Sequence, residues 1–94
     1  MSARRVLVIG GTGKIGSRLT AILRARGAEA VVLARNPGEG GIAVDTADAA
    51  ALEAAARGFD AALLTTPLGA DEGAIGVAAT AALRRAGVGR IVYV

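Results

Sequence analysis

Short, continuous apolar runs alternate with helical stretches along the whole chain. Val6-Leu7-Val8-Ile9, Ala30-Val31-Val32-Leu33-Ala34, Ala61-Ala62-Leu63-Leu64 and Ile91-Val92-Tyr93-Val94 contain no charged residue. Strands covered by helices on both faces read this way, whereas a half-exposed strand alternates. The pattern predicts strands at Arg5 to Ile9, Ala30 to Ala34, Asp60 to Leu64 and Arg90 to Val94, with a short one at Ile42 to Val44. Between them lie three helices. In the first, Lys14 to Arg26, the spacing of Ile15, Leu19, Ile22 and Leu23 predicts one apolar face. The second, Ala47 to Arg57, is rich in alanine and has Thr46 or Asp48 available as its cap. The third begins near Asp71 and Glu72 and runs to about Ala86, with Ile75, Ala78, Ala79, Ala82 and Leu83 expected to be buried. Glycines 27, 58 and 87 follow the helices as stops.

Strand-helix alternation argues a parallel sheet with right-handed crossovers, apart from the short second-to-third connection. The expected fold is α/β, a Rossmann-like doubly wound sheet of about five strands in the order 3-2-1-4-5. A ligand crevice then lies at the carboxyl ends of strands one and four, where the order reverses. Three stretches fall on that edge: the glycines after strand one, Arg35-Asn36, and Thr65-Thr66-Pro67.

The first is the most specific. Gly10-Gly11-Thr12-Gly13-Lys14-Ile15-Gly16 leaves a strand and opens a helix, and Gly11, Gly13 and Gly16 match the dinucleotide spacing. Such glycines allow a sharp turn, a close backbone approach to a pyrophosphate, and tight helix-strand packing. The helix N-terminus offers unpaired N–H groups to the phosphates. The plain alternative is an ordinary strand-to-helix turn. A Walker loop is excluded, because Ile15 stands where Ser or Thr would hold magnesium.

Arg35 lies about 20 residues past the fingerprint, where an acid binds the ribose 2′-hydroxyl. No acid occupies positions 33–36, and a guanidinium there can pair with a 2′-phosphate instead. The expected cofactor is therefore NADP(H) in preference to NAD(H), the alternative being a solvated loop arginine. Lys14 either adds charge beside the phosphates or is an exposed helix-start lysine. Asp45 either accepts from the adenine amine or caps a helix. Thr65 and Thr66 either bond a ribose or carboxamide, or satisfy backbone at the strand end.

Composition narrows the chemistry. The 94 residues make one domain, residues 1–94, and 53% of them are apolar. There is neither cysteine nor histidine, so disulfides, thiolate metal sites and the commonest general base are all excluded. Net charge is +3, and arginine supplies all but one of the basic residues. The arginines are dispersed and aromatic residues make up only 2%, which argues against nucleic acid. Arg4 and Arg5 precede only four apolar residues, against the about 7–15 of a signal sequence. No window reaches the roughly 20 apolar residues of a membrane span. The expectation is a cytoplasmic protein.

These landmarks resemble the N-terminal half of an atypical or extended short-chain dehydrogenase/reductase, most closely the NmrA-like branch. The glycine loop resembles that branch's fingerprint, and Val32-Leu33-Ala34-Arg35-Asn36-Pro37 its second-strand ending with a basic residue. Val44-Asp45 resembles the aspartate that reaches the adenine. Leu64-Thr65-Thr66-Pro67 resembles the segment along the ribose. The resemblance implies a cofactor half that stops after strand five. The family's Tyr-x-x-x-Lys pair would lie past position 94, and Tyr93, within a strand and with no lysine after it, is not that tyrosine. Two readings follow: a cofactor-binding half with little or no turnover, or a non-catalytic module that senses the dinucleotide and signals to a protein partner. The open edge of strand five, Arg90 to Val94, is expected to recruit a second copy or a partner.

Overall fold

A computed structural model of the protein describes residues 4–10, 14–38, 40–45, 48–64 and 72–93; at 14, 15, 72–76 and 93 the backbone alone is described. The elements in chain order are β1 (Arg5–Ile9), α1 (Lys14–Ala25), β2 (Glu29–Ala34), β3 (Ile42–Ala43), α2 (Ala49–Ala56), β4 (Ala61–Leu64), α3 (Glu72–Arg85) and β5 (Arg90–Tyr93). All five strands are parallel in the order β3-β2-β1-β4-β5, the predicted doubly wound arrangement. β1 is central, with Ile9 aligned to Leu33 on one side and Leu64 on the other.

The continuous apolar runs have the expected cause, since β1 buries side chains on both faces. Leu7 and Ile9 join Leu33, Ala62 and Leu64 beneath α2 and α3, where Leu52, Ala56, Ala79, Ala82 and Leu83 complete the main core. Val6 and Val8 point the other way and form a smaller cluster with Ala30, packed by Leu23, Ala28, Ala61 and Leu63. No helix among the described residues is long and apolar enough to cross a membrane.

Two helix faces differ from expectation. On α1, Ile22 is 47% exposed, while Gly16 and Thr20 are buried and Leu19 and Leu23 partly so. The sheet-facing stripe is rotated by one residue toward small side chains, because α1 lies close on a narrow surface of valines and Ala30. Thr20 satisfies its buried hydroxyl by donating from Oγ1 to the Gly16 carbonyl at 2.8 Å. On α3, Ala78 is exposed and the buried line is Ala79, Ala82 and Leu83. Ile75 carries no described side chain.

The boundaries shift where side chains take over. Asp60 does not open β4: its N–H donates to the Arg5 carbonyl and its Oδ2 accepts from the Arg5 N–H, both at 2.9 Å. Asp48 caps α2, accepting from the Ala51 N–H, and Thr46 lies outside the described residues. Val44 falls just past β3 yet still donates to the Ala34 carbonyl at 3.0 Å. Val94 lies outside the described residues.

Candidate functional site

The sheet brings the carboxyl ends of β1, β2 and β4 side by side. Just past β1, Gly10 turns off the strand with φ at 78°, in the left-handed region that a side chain disfavours. Its N–H donates to the Leu33 carbonyl at 2.8 Å, so the turn is anchored to the end of β2. Gly11, Thr12 and Gly13 lie outside the described residues. α1 starts at Lys14, and Gly16 is buried in its first turn. Lys14 and Ile15 belong to the helix backbone. The strand, turn and helix entry thus have the order that the glycine spacing requires.

Beside this turn the chain leaves β2. Leu33, which holds Gly10, is two residues before Arg35. Arg35 and Asn36 are both exposed, and among the described residues Arg35 has no hydrogen-bond or ion-pair partner. Asp45 is also exposed and follows β3 at the same edge, its carbonyl accepting from the Asp48 N–H at 2.9 Å. The side chain that caps α2 is that of Asp48, three residues further on. Thr65, Thr66 and Pro67 follow Leu64 directly and lie outside the described residues. The fold therefore sets Gly10, the α1 entry, Arg35, Asn36 and Asp45 along one edge. Side-chain placement at Lys14, Ile15 and residues 65–67 is outside what is described.

Such an edge fits a dinucleotide on physical grounds. The positive φ of Gly10 turns the chain toward a helix N-terminus, and one strand away lies the Arg35 guanidinium, which has no partner among the described residues. They match a pyrophosphate and a sugar phosphate.

The sequence profile of the NAD dependent epimerase/dehydratase family matches residues 6–94. The chain belongs to that family. The human epimerase family protein SDR39U1 is 52% identical over 48 residues, which is 51% of this chain and 16% of the human protein. A short-chain dehydrogenase/reductase superfamily protein from Agrobacterium tumefaciens, solved with bound NAD, is 30% identical with a TM-score of 0.71. A nucleoside-diphosphate-sugar epimerase from Pseudomonas aeruginosa is 25% identical with a TM-score of 0.79. This chain is covered to 96% and 98% in these two comparisons, and spans 32% and 33% of the two solved chains.

Two features escaped sequence reasoning. Close packing at Gly16 is expected from the glycine spacing, but its buried partner Thr20, four residues on, is hidden behind the more obvious Ile and Leu. The other is the contact between Pro37 and Gly41. Three glycines at 38, 40 and 41 predict a flexible loop, yet a Cβ built on Gly41 would lie 2.5 Å from the Pro37 Cβ.

Proposed function

We propose that this chain binds a nicotinamide dinucleotide along the carboxyl edge of β1 and β2, and that it takes NADP(H) in preference to NAD(H). The observation that carries the preference is Arg35: a cation past β2, exposed and unpaired among the described residues, one strand from the glycine turn. Gly10 to Gly16 would hold the pyrophosphate, with Lys14 beside it. Asn36 and Arg35 would meet the 2′-phosphate, Asp45 the adenine, and the 65–67 segment the ribose. When bound, the nicotinamide supplies hydride chemistry. The residues of this chain bind and orient it and offer neither histidine nor cysteine as an acid or base.

Family membership and the NAD-bound Agrobacterium relative support the dinucleotide. The basic residue after β2 supports an NmrA-like branch within the wider superfamily; the role proposed with it is cofactor binding in a cytoplasmic reductase, or redox sensing. Among the described residues β5 is an edge strand, and its Val92 is 44% exposed, which supports association with a second copy or a protein partner through that edge.

Calorimetric titration with NADP⁺ and NAD⁺ tests the reading, with Arg35→Ala alongside. A charge-assisted pair at the 2′-phosphate contributes about 1.5–3 kcal/mol, so the variant should lose roughly 10–100-fold in NADP⁺ affinity and little for NAD⁺. Equal affinity of the wild-type chain for the two cofactors would refute the preference. Binding of neither would refute the reading.

A further inference from the structure

Resting on the reading that Arg35 meets the 2′-phosphate, we propose that the packing of Pro37 onto Gly41 positions that arginine and so sets cofactor selectivity.

β2 and β3 are parallel, with Leu33 aligned to Ile42 and Ala34 to Ala43. Parallel neighbours ordinarily need a crossover of a dozen or more residues. Here only residues 35–41 intervene, so the chain must rise past the carboxyl edge and return within that span. Gly38 and Gly40 make the reversal with φ at 80° and 79°, and the Gly41 N–H reaches back toward the Gly38 carbonyl at 3.4 Å. At the base, Gly41 fits so closely that a Cβ there would sit 2.5 Å from the Pro37 Cβ and 2.9 Å from the Val32 carbonyl oxygen. Real Cβ atoms do not approach backbone oxygen that closely. Glycine is therefore required at 41 by contact rather than by its dihedral angles.

The consequence is a loop closed on itself. Pro37 is partly buried and lies wedged on Gly41, which is pressed on the carbonyl of β2. Proline fixes its own φ and restricts the residue before it. Arg35 and Asn36 are the exposed shoulder between the β2 end and this wedge. Held at both ends, the shoulder keeps Arg35 two residues past Leu33, whose carbonyl accepts from the Gly10 N–H, without first having to be ordered by the ligand. If the wedge opened so that the competent arrangement held a tenth of the time, affinity through Arg35 would fall about tenfold. Contacts made by the glycine turn would be unaffected. Pro37 and Gly41 are thus positioning residues whose effect falls on NADP⁺ alone.

The test titrates the wild-type chain, Arg35→Ala, Pro37→Gly, Gly41→Ala and Gly89→Ala with NADP⁺ and with NAD⁺. Gly89→Ala is the control, since a Cβ there meets only ordinary contact, 3.6 Å from the Asp60 carbonyl. The expected result is that Pro37→Gly and Gly41→Ala lower the NADP⁺/NAD⁺ affinity ratio about five- to tenfold. NAD⁺ affinity should stay within about twofold, and Gly89→Ala should keep the wild-type ratio. Pro37→Gly removes the wedge without inserting an atom, so it answers the question should Gly41→Ala fail to fold. If Arg35→Ala lowers the ratio and Pro37→Gly does not, the positioning role is overturned while the Arg35 reading stands. Parallel loss of NAD⁺ affinity in Pro37→Gly also overturns it. If Arg35→Ala leaves the ratio unchanged, both fall.

Discussion

The two ends of the sheet are built in opposite ways. At the amino end, the side chains of Arg5, Glu29 and Asp60 are committed to the fold. The Arg5 backbone exchanges hydrogen bonds with Asp60, and the Glu29 N–H donates to the Arg4 carbonyl at 2.8 Å. The Arg5 guanidinium lies 4.4 Å from the centroid of the Phe59 ring, donates to the Gly58 carbonyl and pairs with Glu29. The Asp60 carbonyl in turn accepts from Gly89 at 3.2 Å, so β1, β2, β4 and β5 are tied together there. At the carboxyl end the described polar side chains look outward: Arg35, Asn36 and Asp45 are exposed, and the Gly10 turn precedes a helix N-terminus. One end spends its charges on holding strands in register. At the other, Arg35 and Asn36 are exposed past the carboxyl end of β2, the edge at which open α/β sheets take ligands.

Substitutions separate the ends. The largest effect is expected from Gly10→Val. A β-branched residue forced to φ 78° carries a strain of about 1–3 kcal/mol. Thermal unfolding should move down by roughly 4–8 °C per kcal/mol, and dinucleotide binding should be lost with it. Arg5→Ala should be milder, about 1–2 kcal/mol, through the lost ring contact and the bond to Gly58. Its exposed pair with Glu29 adds little. Thermal scans and titrations together should find its NADP⁺/NAD⁺ ratio unchanged, since the change lies at the opposite end of the sheet from Arg35. A shift in that ratio would break the contrast.

The smallest effect belongs to neither end. Glu53 bridges α2 to α3 through Arg85 and pairs with Arg57 along its own helix. The Arg85 guanidinium, hydrogen-bonded to it, holds its carboxyl below the ordinary value of 4.5. A carboxyl depressed on folding stabilises the fold above its unfolded pKa, and that contribution fades as pH drops through the folded value. Glu53→Gln should therefore be slightly less stable than the wild-type chain near pH 7. Denaturation curves of the two should converge as pH falls below the ordinary carboxyl value of 4.5 and through the lower folded one.

Sequence reasoning reached the sheet order because buried parallel strands leave continuous apolar runs, and β1 is the plainest of them. It reached the carboxyl edge because glycine spacing after such a run carries its own geometry. It failed where size rather than hydropathy decides contact. On α1 Gly16 is buried, as the glycine spacing leads one to expect, but Thr20 is buried too and the bulkier Ile22 is turned out, which an apolar stripe cannot anticipate. In the loop after β2, three glycines read as freedom, whereas Gly41 is there because nothing larger fits under Pro37. The Arg5–Asp60 link was hidden for another reason: it joins residues 55 apart in sequence.

The measurement that tests the contrast most directly is an amide chemical-shift map of the labelled chain titrated with NADP⁺. The expected shifts concentrate at Gly10 to Gly16, at Leu33 to Gly41 and at Asp45, with Arg4, Glu29, Asp60 and Gly89 unmoved. Shifts centred on the Arg5–Asp60 end, or none at saturating NADP⁺, would contradict the assignment of the carboxyl edge as the binding site.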